Sequence, residues 1–158
     1  MIIRKLKIEE LPLLAWLNEY NDLEEMIAEN TSRIENGSID IWALFDEDTI
    51  IGELHSMYES NDERAACGVR AYLYAFRIRE DRQGNGYGKP LLEKVIKELQ
   101  SQGYTEFTVG VEDDNERARH IYEKFGFTKF LSRKYEDYQG DKYEYDLFLM
   151  KRKDKRTK

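Results

Sequence analysis

The sequence has 158 residues but only one cysteine, Cys67, and two prolines. A single thiol can form neither an internal disulfide nor a cysteine-based zinc cluster, so we expect a cytosolic, metal-free protein. No apolar run approaches the roughly 18 residues that a membrane span needs. The first residues, Met1 to Lys5, mix charged and apolar side chains, which a secretion signal does not. We therefore expect neither a membrane segment nor a secretion signal.

Acidic residues outnumber basic ones in the chain. Asp and Glu number 32 against 25 Lys and Arg, which gives a formal net charge of -7. Nucleic-acid-binding proteins usually present a basic surface, so we expect no nucleic-acid partner. An acidic body favours a cationic partner, such as an amine. The basic segment 151–158 is the exception, and we interpret it as a solvated tail that follows one domain at 1–150.

The hydrophobic pattern predicts an α+β fold. Strands are expected at 2–7, 39–45, 49–58, 69–79, 105–111, 127–135 and 142–151, and helices at 9–35 (two helices, broken near 21–22), 88–102 and 116–125. Alternation in the strand at 69–79 places Tyr72, Tyr74, Phe76 and Ile78 on one face. The simplest packing is a mixed, largely antiparallel sheet with helices on both faces.

A glycine-rich loop joins the strand at 69–79 to the next helix. Glycine at every second position, Gly84, Gly86 and Gly88, lets the backbone turn sharply. Its free N–H groups and the helix N-terminus would form an anion site, where Lys89 adds a positive charge. The dinucleotide-binding pattern and the P-loop both fail here, because neither finds its required residues between positions 83 and 90. An ordinary glycine-rich turn is the alternative.

Two segments, taken in order, carry a family resemblance. Gln83-Gly84-Asn85-Gly86-Tyr87-Gly88 resembles the Q/R-x-x-G-x-G/A loop of the GNAT acyltransferase superfamily. The segment from Asn115 to Phe127 is similar to the N-x-x-A-x-x-x-Y-x-x-x-G-F segment of the same family. The resemblance implies a single GNAT-like domain, whose mixed, mostly antiparallel twisted sheet is flanked by helices and contains a splayed parallel strand pair. It also implies binding of acetyl-CoA or a longer acyl-CoA.

The resemblance further implies where the co-substrate acetyl-CoA would bind. Its diphosphate would lie on the loop N–H groups, and its pantetheine arm would lie between the strands that end at Ile78 and Val111. The cofactor-binding residues implied in this way are Phe76, Ile78, Gln83, Gly84, Asn85, Gly86, Tyr87, Gly88, Lys89, Asn115 and Ala118. Gly110, inside the second strand, is consistent with close backbone approach, although a β-bulge would also explain it.

Tyr122 is the implied catalytic residue. It would act as the general acid that protonates the departing sulfur, since a phenol is mostly protonated at neutral pH. A backbone N–H at or next to Ile78 would stabilise the oxyanion of direct transfer through a tetrahedral intermediate. Tyr122 could instead be a core residue, because it shares a helix face with Ala118, Ile121 and Phe125.

The general base is not identified by the resemblance. Some family members carry a glutamate at the position occupied here by Tyr72. Glu53 and His55 could act directly or through water, or could serve the structure, and water alone could relay the proton. We expect His120 to be exposed on its helix, and Cys67 to lie in a turn with no covalent role.

We expect the acceptor to be a small-molecule or peptide primary amine, with a cationic one favoured. Aromatic and acidic side chains of the first helices and last strands would attract an ammonium group. They are Trp16, Tyr20, Tyr135, Tyr138, Tyr143 and Tyr145, with Glu136, Asp137, Glu144 and Asp146. Edge strands near the C-terminus leave a homodimer open. The expected function is acetyl-CoA-dependent N-acetylation, and the alternative is a non-catalytic CoA-binding or regulatory module on the same fold.

Overall fold

The computed structural model describes residues 1–17 and 20–153. Its strands are β1 (Ile2–Lys5), β2 (Ile39–Asp46), β3 (Thr49–Met57), β4 (Arg70–Ile78), β5 (Glu106–Val111), β6 (Lys129–Tyr138) and β7 (Asp141–Lys151). The α-helices are α1 (Leu23–Glu35), α2 (Gly88–Ser101) and α3 (Glu116–Phe125), and 3₁₀ helices span Ile8–Leu17 and Glu80–Arg82. The predicted α+β fold is confirmed. Most of the predicted basic tail, residues 154–158, lies outside the described residues.

The predicted pair of N-terminal helices is present, but the first is not an α-helix. The segment Ile8–Leu17 is a 3₁₀ helix with Pro12 inside it, and proline removes a backbone donor that an α-helix interior needs. The second helix begins where predicted, because the side chain of Asp22 accepts a hydrogen bond from the N–H of Glu25 at 3.0 Å. No helix within the described ranges is long and apolar enough to cross a membrane.

All seven strands form one sheet, in the order β1-β2-β3-β4-β5-β7-β6. Every neighbouring pair is antiparallel except β4 and β5, which are parallel as predicted. Their pairing starts at Arg70 and Glu106 and ends at Leu73 and Val109. The rest of β4, residues 74–78, therefore continues without β5 beside it.

A β-bulge interrupts β4 just after this point. Ala75 has a φ of 52°, in the left-handed region that few residues other than glycine adopt. Against β3, His55 pairs with Tyr74 but Glu53 pairs with Arg77, so β4 carries one extra residue there.

The bulge changes which sheet face the following side chains occupy. Tyr72 and Tyr74 belong to a side-chain cluster with Tyr145, whereas Phe76 and Ile78 pack against the main core on the opposite face. The prediction that all four β4 side chains share one face is therefore wrong. Strict alternation fails because the extra residue at the bulge shifts the period by one.

The two faces of the sheet are covered differently. Helices α2 and α3 cover one face, where the main core includes Leu73, Leu91, Val95 and Phe107. On the other face, the 3₁₀ helix Ile8–Leu17 and α1 pack over the β1–β3 half. The cluster on the β4–β7 half of that face contains no helix residue. We call this helix-free half the open half. The β3–β4 connection packs on it, with Arg64 5.6 Å from the centroid of the Tyr72 ring.

Gly110 of β5 is required by a close side-chain contact. A Cβ built on Gly110 would lie 2.4 Å from Cδ2 and 2.7 Å from Cε2 of Tyr145, which are impossible contacts. Gly110 pairs with Leu147 of β7 in regular register, so the bulge alternative is not needed. A close backbone approach was expected at Gly110, but the neighbour found there is the side-chain ring of Tyr145.

We predict that Gly110→Ala destabilises the fold by about 1–3 kcal/mol, because the added methyl group overpacks the Tyr145 ring. Urea unfolding measures this loss. In a Tyr145→Leu background the same glycine substitution should cost much less, since the two positions are coupled. Equal costs in both backgrounds would contradict the contact as the reason for the glycine.

Candidate active site

The glycine loop is anchored to the end of β4. Nε2 of Gln83 donates a hydrogen bond to the carbonyl of Ile78 at 2.9 Å, and Nδ2 of Asn85 donates to the carbonyl of Arg82 at 3.3 Å. Gly84 and Gly86 have φ values of 82° and 80°, so both need glycine for backbone reasons. The predicted loop residues therefore form an ordered turn beside the strand end.

The loop presents main-chain donors that nothing in the described chain uses. The N–H groups of Gly84 to Tyr87 donate to no backbone carbonyl in residues 1–17 and 20–153. Helix α2 begins directly afterwards at Gly88, and Tyr87 supplies no side-chain cap. Free N–H groups followed by a helix N-terminus are suited to an anion.

The three glycines of the loop differ in their surroundings. A Cβ on Gly84 or Gly86 would meet no atom within 4 Å, so these positions border open space. A Cβ on Gly88 would lie 3.1 Å from Cζ of Phe76 and 3.8 Å from Cγ1 of Ile78. Gly88 therefore allows α2 to pack onto the end of β4, while the other two leave room for a ligand.

Tyr122 of α3 lies under the parted strands on the core face. Its side chain is buried, with the ring centroid 5.9 Å from that of Phe76 and 5.6 Å from that of Phe127. It also lines a cavity of about 240 Å³ together with Val111 and Phe148. Burial raises the pKa of Tyr122 well above its usual value, so the phenol remains protonated at neutral pH. The residue is thus both a core member and a lining residue of a cavity.

Asn115 and Ala118 stand at the start of α3. The side-chain oxygen of Asn115 accepts a hydrogen bond from the N–H of Ala118 at 3.1 Å and so caps the helix. Asn115 is exposed and Ala118 is half-buried. The asparagine of the family segment therefore has a structural role at this position.

A basic cavity of about 300 Å³ lies between α2 and α3. Exposed Lys89 lines it together with His120, Lys124 and Arg152. Glu93 also lines the cavity and forms an ion pair with Arg152 at 3.5 Å. Lys124 and Arg152 were not predicted as site residues. The sequence did carry a signal for this cavity. His120 and Lys124 are four residues apart, which places both side chains on one face of the helix.

A buried carboxylate stands on the opposite face of the sheet. Glu53 is completely buried and accepts hydrogen bonds from Nε1 of Trp16 at 2.9 Å and from the hydroxyl of Tyr20 at 3.2 Å. Its Oε2 lies 2.6 Å from Nε2 of His55 and 3.4 Å from Nη1 of Arg77. Burial alone would raise the pKa of Glu53, but the hydrogen bond from His55 and the charge of Arg77 lower it overall. Glu53 is therefore ionised.

Aromatic rings continue this cluster along β4. Tyr74 meets the His55 ring edge-on, with centroids 5.1 Å apart, and stacks on Tyr72 at 5.3 Å. The hydroxyl of Tyr145 donates to Glu136 at 2.6 Å, and Arg64 forms an ion pair with the same carboxylate. The open half of this face is thus lined by rings and paired charges.

The predicted acceptor residues are only partly brought together. Trp16 and Tyr20 reach Glu53, and Tyr143 and Tyr145 belong to the cluster on the open half. Tyr135 is 73% exposed, outside that cluster. The carboxylates of Glu144 and Asp146 form ion pairs with Arg133. Asp137 is exposed and Tyr138 is half-buried.

Four hydrogen bonds join the start of α1 to the β6–β7 turn, and we call this contact the clasp. Nδ2 of Asn21 donates to the carbonyl of Gln139 at 2.8 Å and to Oδ2 of Asp141 at 2.9 Å. The N–H of Asp22 donates to Oε1 of Gln139 at 3.0 Å, and Nε2 of Gln139 donates to the carbonyl of Asp22 at 2.7 Å. The clasp links the helical layer to the far edge of the sheet.

Two further predictions concern single residues. His120 is exposed on α3, and Cys67 is exposed in a turn, both as predicted. Among the described residues, no group of three or more His, Cys, Asp or Glu side chains is arranged to hold a metal ion.

Comparison with curated proteins gives short, partial matches. A mycothiol acetyltransferase from Streptomyces coelicolor is 38% identical over 55 residues, which are 35% of this chain and 18% of that protein. One from Corynebacterium efficiens is 30% identical over 89 residues, which are 56% of this chain and 28% of that protein. The match therefore spans less than a third of the length of these relatives.

Comparison with solved structures covers almost the whole chain. A spermidine N-acetyltransferase from Vibrio cholerae has a TM-score of 0.73 at 17% identity, over 96% of this chain and 95% of that one. A ribosomal-protein-alanine N-acetyltransferase from Brucella melitensis has a TM-score of 0.72 at 17% identity, over 96% and 99%. At such low identity these likenesses establish the fold.

The family follows from a match that covers most of the chain. The model of the acetyltransferase (GNAT) family matches residues 6–127, which include the glycine loop, the parted strands β4 and β5, and Tyr122. The resemblance first found in two short segments is thereby confirmed. The chain belongs to the acetyltransferase (GNAT) family.

Proposed function

We propose that this protein is an N-acetyltransferase that moves the acetyl group of acetyl-CoA to a primary amine. The observation that carries the proposal is the meeting of three features at the end of β4. These are the free loop donors at 84–87, the N-terminus of α2 and the gap where β4 and β5 part. Each of these features suits a different part of acetyl-CoA, which is an elongated molecule.

The residues at this site fit acetyl-CoA. The loop N–H groups and the open space at Gly84 and Gly86 suit a diphosphate. Lys89, Lys124 and Arg152 would provide positive charge for the phosphates of the nucleotide end. Beyond Leu73, the edge of β4 that faced β5 offers main-chain groups with which the amides of the pantetheine arm can pair.

The residues that we propose for binding are those implied by the family resemblance. They are Phe76, Ile78, Gln83, Gly84, Asn85, Gly86, Tyr87, Gly88, Lys89, Asn115 and Ala118. Phe76 and Ile78 would act through the β4 main chain and by apolar contact, since both side chains pack against the core. A main-chain N–H at or beside Ile78 would stabilise the oxyanion.

Bound acetyl-CoA supplies an activated acetyl thioester. We assign to Tyr122 the proton that the departing sulfur requires, because its hydroxyl is held protonated in an apolar setting next to Phe76. The acceptor amine would approach from the other face of the sheet, where His55 lies.

We propose that His55 accepts the proton that the acceptor amine loses, either directly or through a water molecule. Glu53 is ionised, so in the neutral imidazole the proton of the 2.6 Å contact resides on Nε2 of His55. Nδ1 is then the nitrogen that carries the lone pair. Glu53, itself fixed by Trp16 and Tyr20, orients the ring for this task.

The acceptor class is supported by the solved relatives and by charge. The two structural relatives are named for N-acetylation of spermidine and of a ribosomal-protein alanine, both of which are amines. The net charge of -7 also favours an amine, which is cationic before it loses its proton.

We expect the wild type to release CoA from acetyl-CoA in the presence of at least one primary amine, and Tyr122→Phe to lower kcat about 100-fold. Binding of acetyl-CoA should persist in the variant, because only the hydroxyl is removed. A CoA-release assay over polyamines, aminoglycosides, amino acids and peptides measures the effect. Tyr104→Phe, a buried tyrosine whose hydroxyl accepts from the N–H of Gly68, is the matched control.

An unchanged kcat in Tyr122→Phe would remove the assignment of the acid. If the protein binds acetyl-CoA tightly but releases no CoA with any amine of the panel, the alternative function, a non-catalytic CoA-binding module, would be supported instead.

Gly86→Ala should weaken acetyl-CoA binding about tenfold. The substitution strains a left-handed backbone and places a methyl group in the open space assigned to the diphosphate. Gly37→Ala is the control, since Gly37 also has a φ of 80° with no atom near its Cβ, but lies in the α1–β2 turn. Both variants should lose about 1 kcal/mol of stability. Calorimetric titration with acetyl-CoA separates them, and equal affinities would contradict the loop assignment.

Glu53→Gln should destabilise the fold by about 3 kcal/mol at pH 7, because His55 and Arg77 lose a buried charged partner. The folded-state pKa of Glu53 is lowered, so its contribution is present above the ordinary carboxyl pKa of about 4.3 and is lost as the pH falls through the lowered value. The stability difference between wild type and variant should therefore shrink below pH 4.3. Thermal unfolding across pH measures it, with exposed Glu9→Gln as control. A difference that stays constant with pH would show that Glu53 is not ionised.

A further inference from the structure

Tyr74 of β4 carries a buried hydroxyl that has no hydrogen-bond partner. Among the described residues, two buried side-chain polar atoms lack such a partner, and they are Oη of Tyr74 and Oε1 of Gln100. Gln100 lies in the last turn of α2, where its Nε2 donates a hydrogen bond to the carbonyl of Lys153 at 3.2 Å. Tyr74 lies instead beside the proposed site.

The hydroxyl of Tyr74 is not needed to hold its ring. Stacking on Tyr72 and edge contact with His55 fix the ring by its carbon atoms. A buried hydroxyl without a partner costs free energy, whereas phenylalanine would keep both ring contacts without this cost. An unpaired buried group of this kind calls for a functional explanation.

The position of Tyr74 points to the acceptor. It is the first β4 residue beyond the last pair with β5, and it precedes the bulge at Ala75. It lies on the sheet face opposite Tyr122, next to the His55–Glu53 pair. A group bound to its hydroxyl would thus stand where the strands part.

The surroundings of the Tyr74 hydroxyl are polar and come from several elements. Arg33 of α1, Tyr138 and Glu136 of β6, and Arg64 from the β3–β4 connection act electrostatically on it. The clasp connects the start of α1 to the turn after Tyr138.

We propose that Oη of Tyr74 accepts a hydrogen bond from the amine of the acceptor, which makes Tyr74 a specificity-determining residue of the site. This inference rests on the proposed N-acetyltransferase function. One N–H of the amine bonds to Tyr74 while His55 receives another proton, and the nitrogen lone pair is left directed at the thioester. The unpaired hydroxyl of the free protein is then satisfied only when the acceptor is bound.

Tyr74→Phe should raise the acceptor KM about tenfold, as the loss of one hydrogen bond to the amine implies. The KM for acetyl-CoA should stay within about twofold, because the variant leaves the loop and α2 unchanged. Its Tm should be equal to or higher than that of the wild type, since the unpaired hydroxyl is removed. Both KM values are measured with the amine of the panel that gives the fastest CoA release. The Tm is measured by thermal unfolding.

Tyr58→Phe is the matched control. The Tyr58 hydroxyl donates to Asp40 and contacts Ser56, away from the site, so this variant should have a lower Tm and unchanged KM values. A Tyr74→Phe variant with a lower Tm and an unchanged acceptor KM would overturn the inference, because the hydroxyl would then be structural.

The inference can fail separately from the proposed function. If the wild type releases no CoA with any amine, the proposed function fails, and spermidine is titrated calorimetrically as a binding probe. The inference then requires wild-type binding that Tyr74→Phe weakens about tenfold. Absence of wild-type binding, or equal binding by both proteins, would overturn it as well.

Discussion

The end of pairing between β4 and β5 is the constraint on which the rest of the site depends. Two parallel strands in one sheet normally satisfy each other's main-chain groups along their whole length. Here the pairing stops at Leu73 and Val109, and β4 runs on as far as Ile78. The opening lies in the middle of a seven-stranded sheet, so both faces of the sheet reach it.

The bulge at Ala75 places Tyr74 and Phe76 of β4 on opposite faces of the sheet. It turns Tyr74 toward the open face and Phe76 toward the core formed with α2 and α3. In the proposed reaction, the donor side would consist of the glycine loop and Tyr122, and the acceptor side of the Glu53–His55 pair and Tyr74. Because the sheet separates these two sides, donor and acceptor would enter independently and meet where the strands part.

The sequence predicted those features that local chemistry determines. Glycines at 84 and 86 are needed for a left-handed backbone, and the α3 segment carries its own cap in Asn115, so both motifs can be recognised from the sequence alone. The bulge could not, because alanine gives no signal of a positive φ and only the pairing with β3 creates it.

Contacts between residues far apart in the chain could not be predicted from the sequence either. Glu53 and His55 could be named as candidates, but Trp16, which fixes the carboxylate, lies 37 positions away in sequence. Gly110 suggested a close backbone approach or a bulge, but the ring that requires this glycine belongs to Tyr145, on a strand that pairs with β5 only in the folded sheet.

The most direct test is a crystal structure of the protein with acetyl-CoA. We predict the diphosphate on the N–H groups of residues 84–89, the pantetheine amides paired with residues 74–78 of β4, and the thioester between Tyr122 and Tyr74. A complex in which the arm lies outside the gap between β4 and β5, or the diphosphate binds away from the loop, would contradict it.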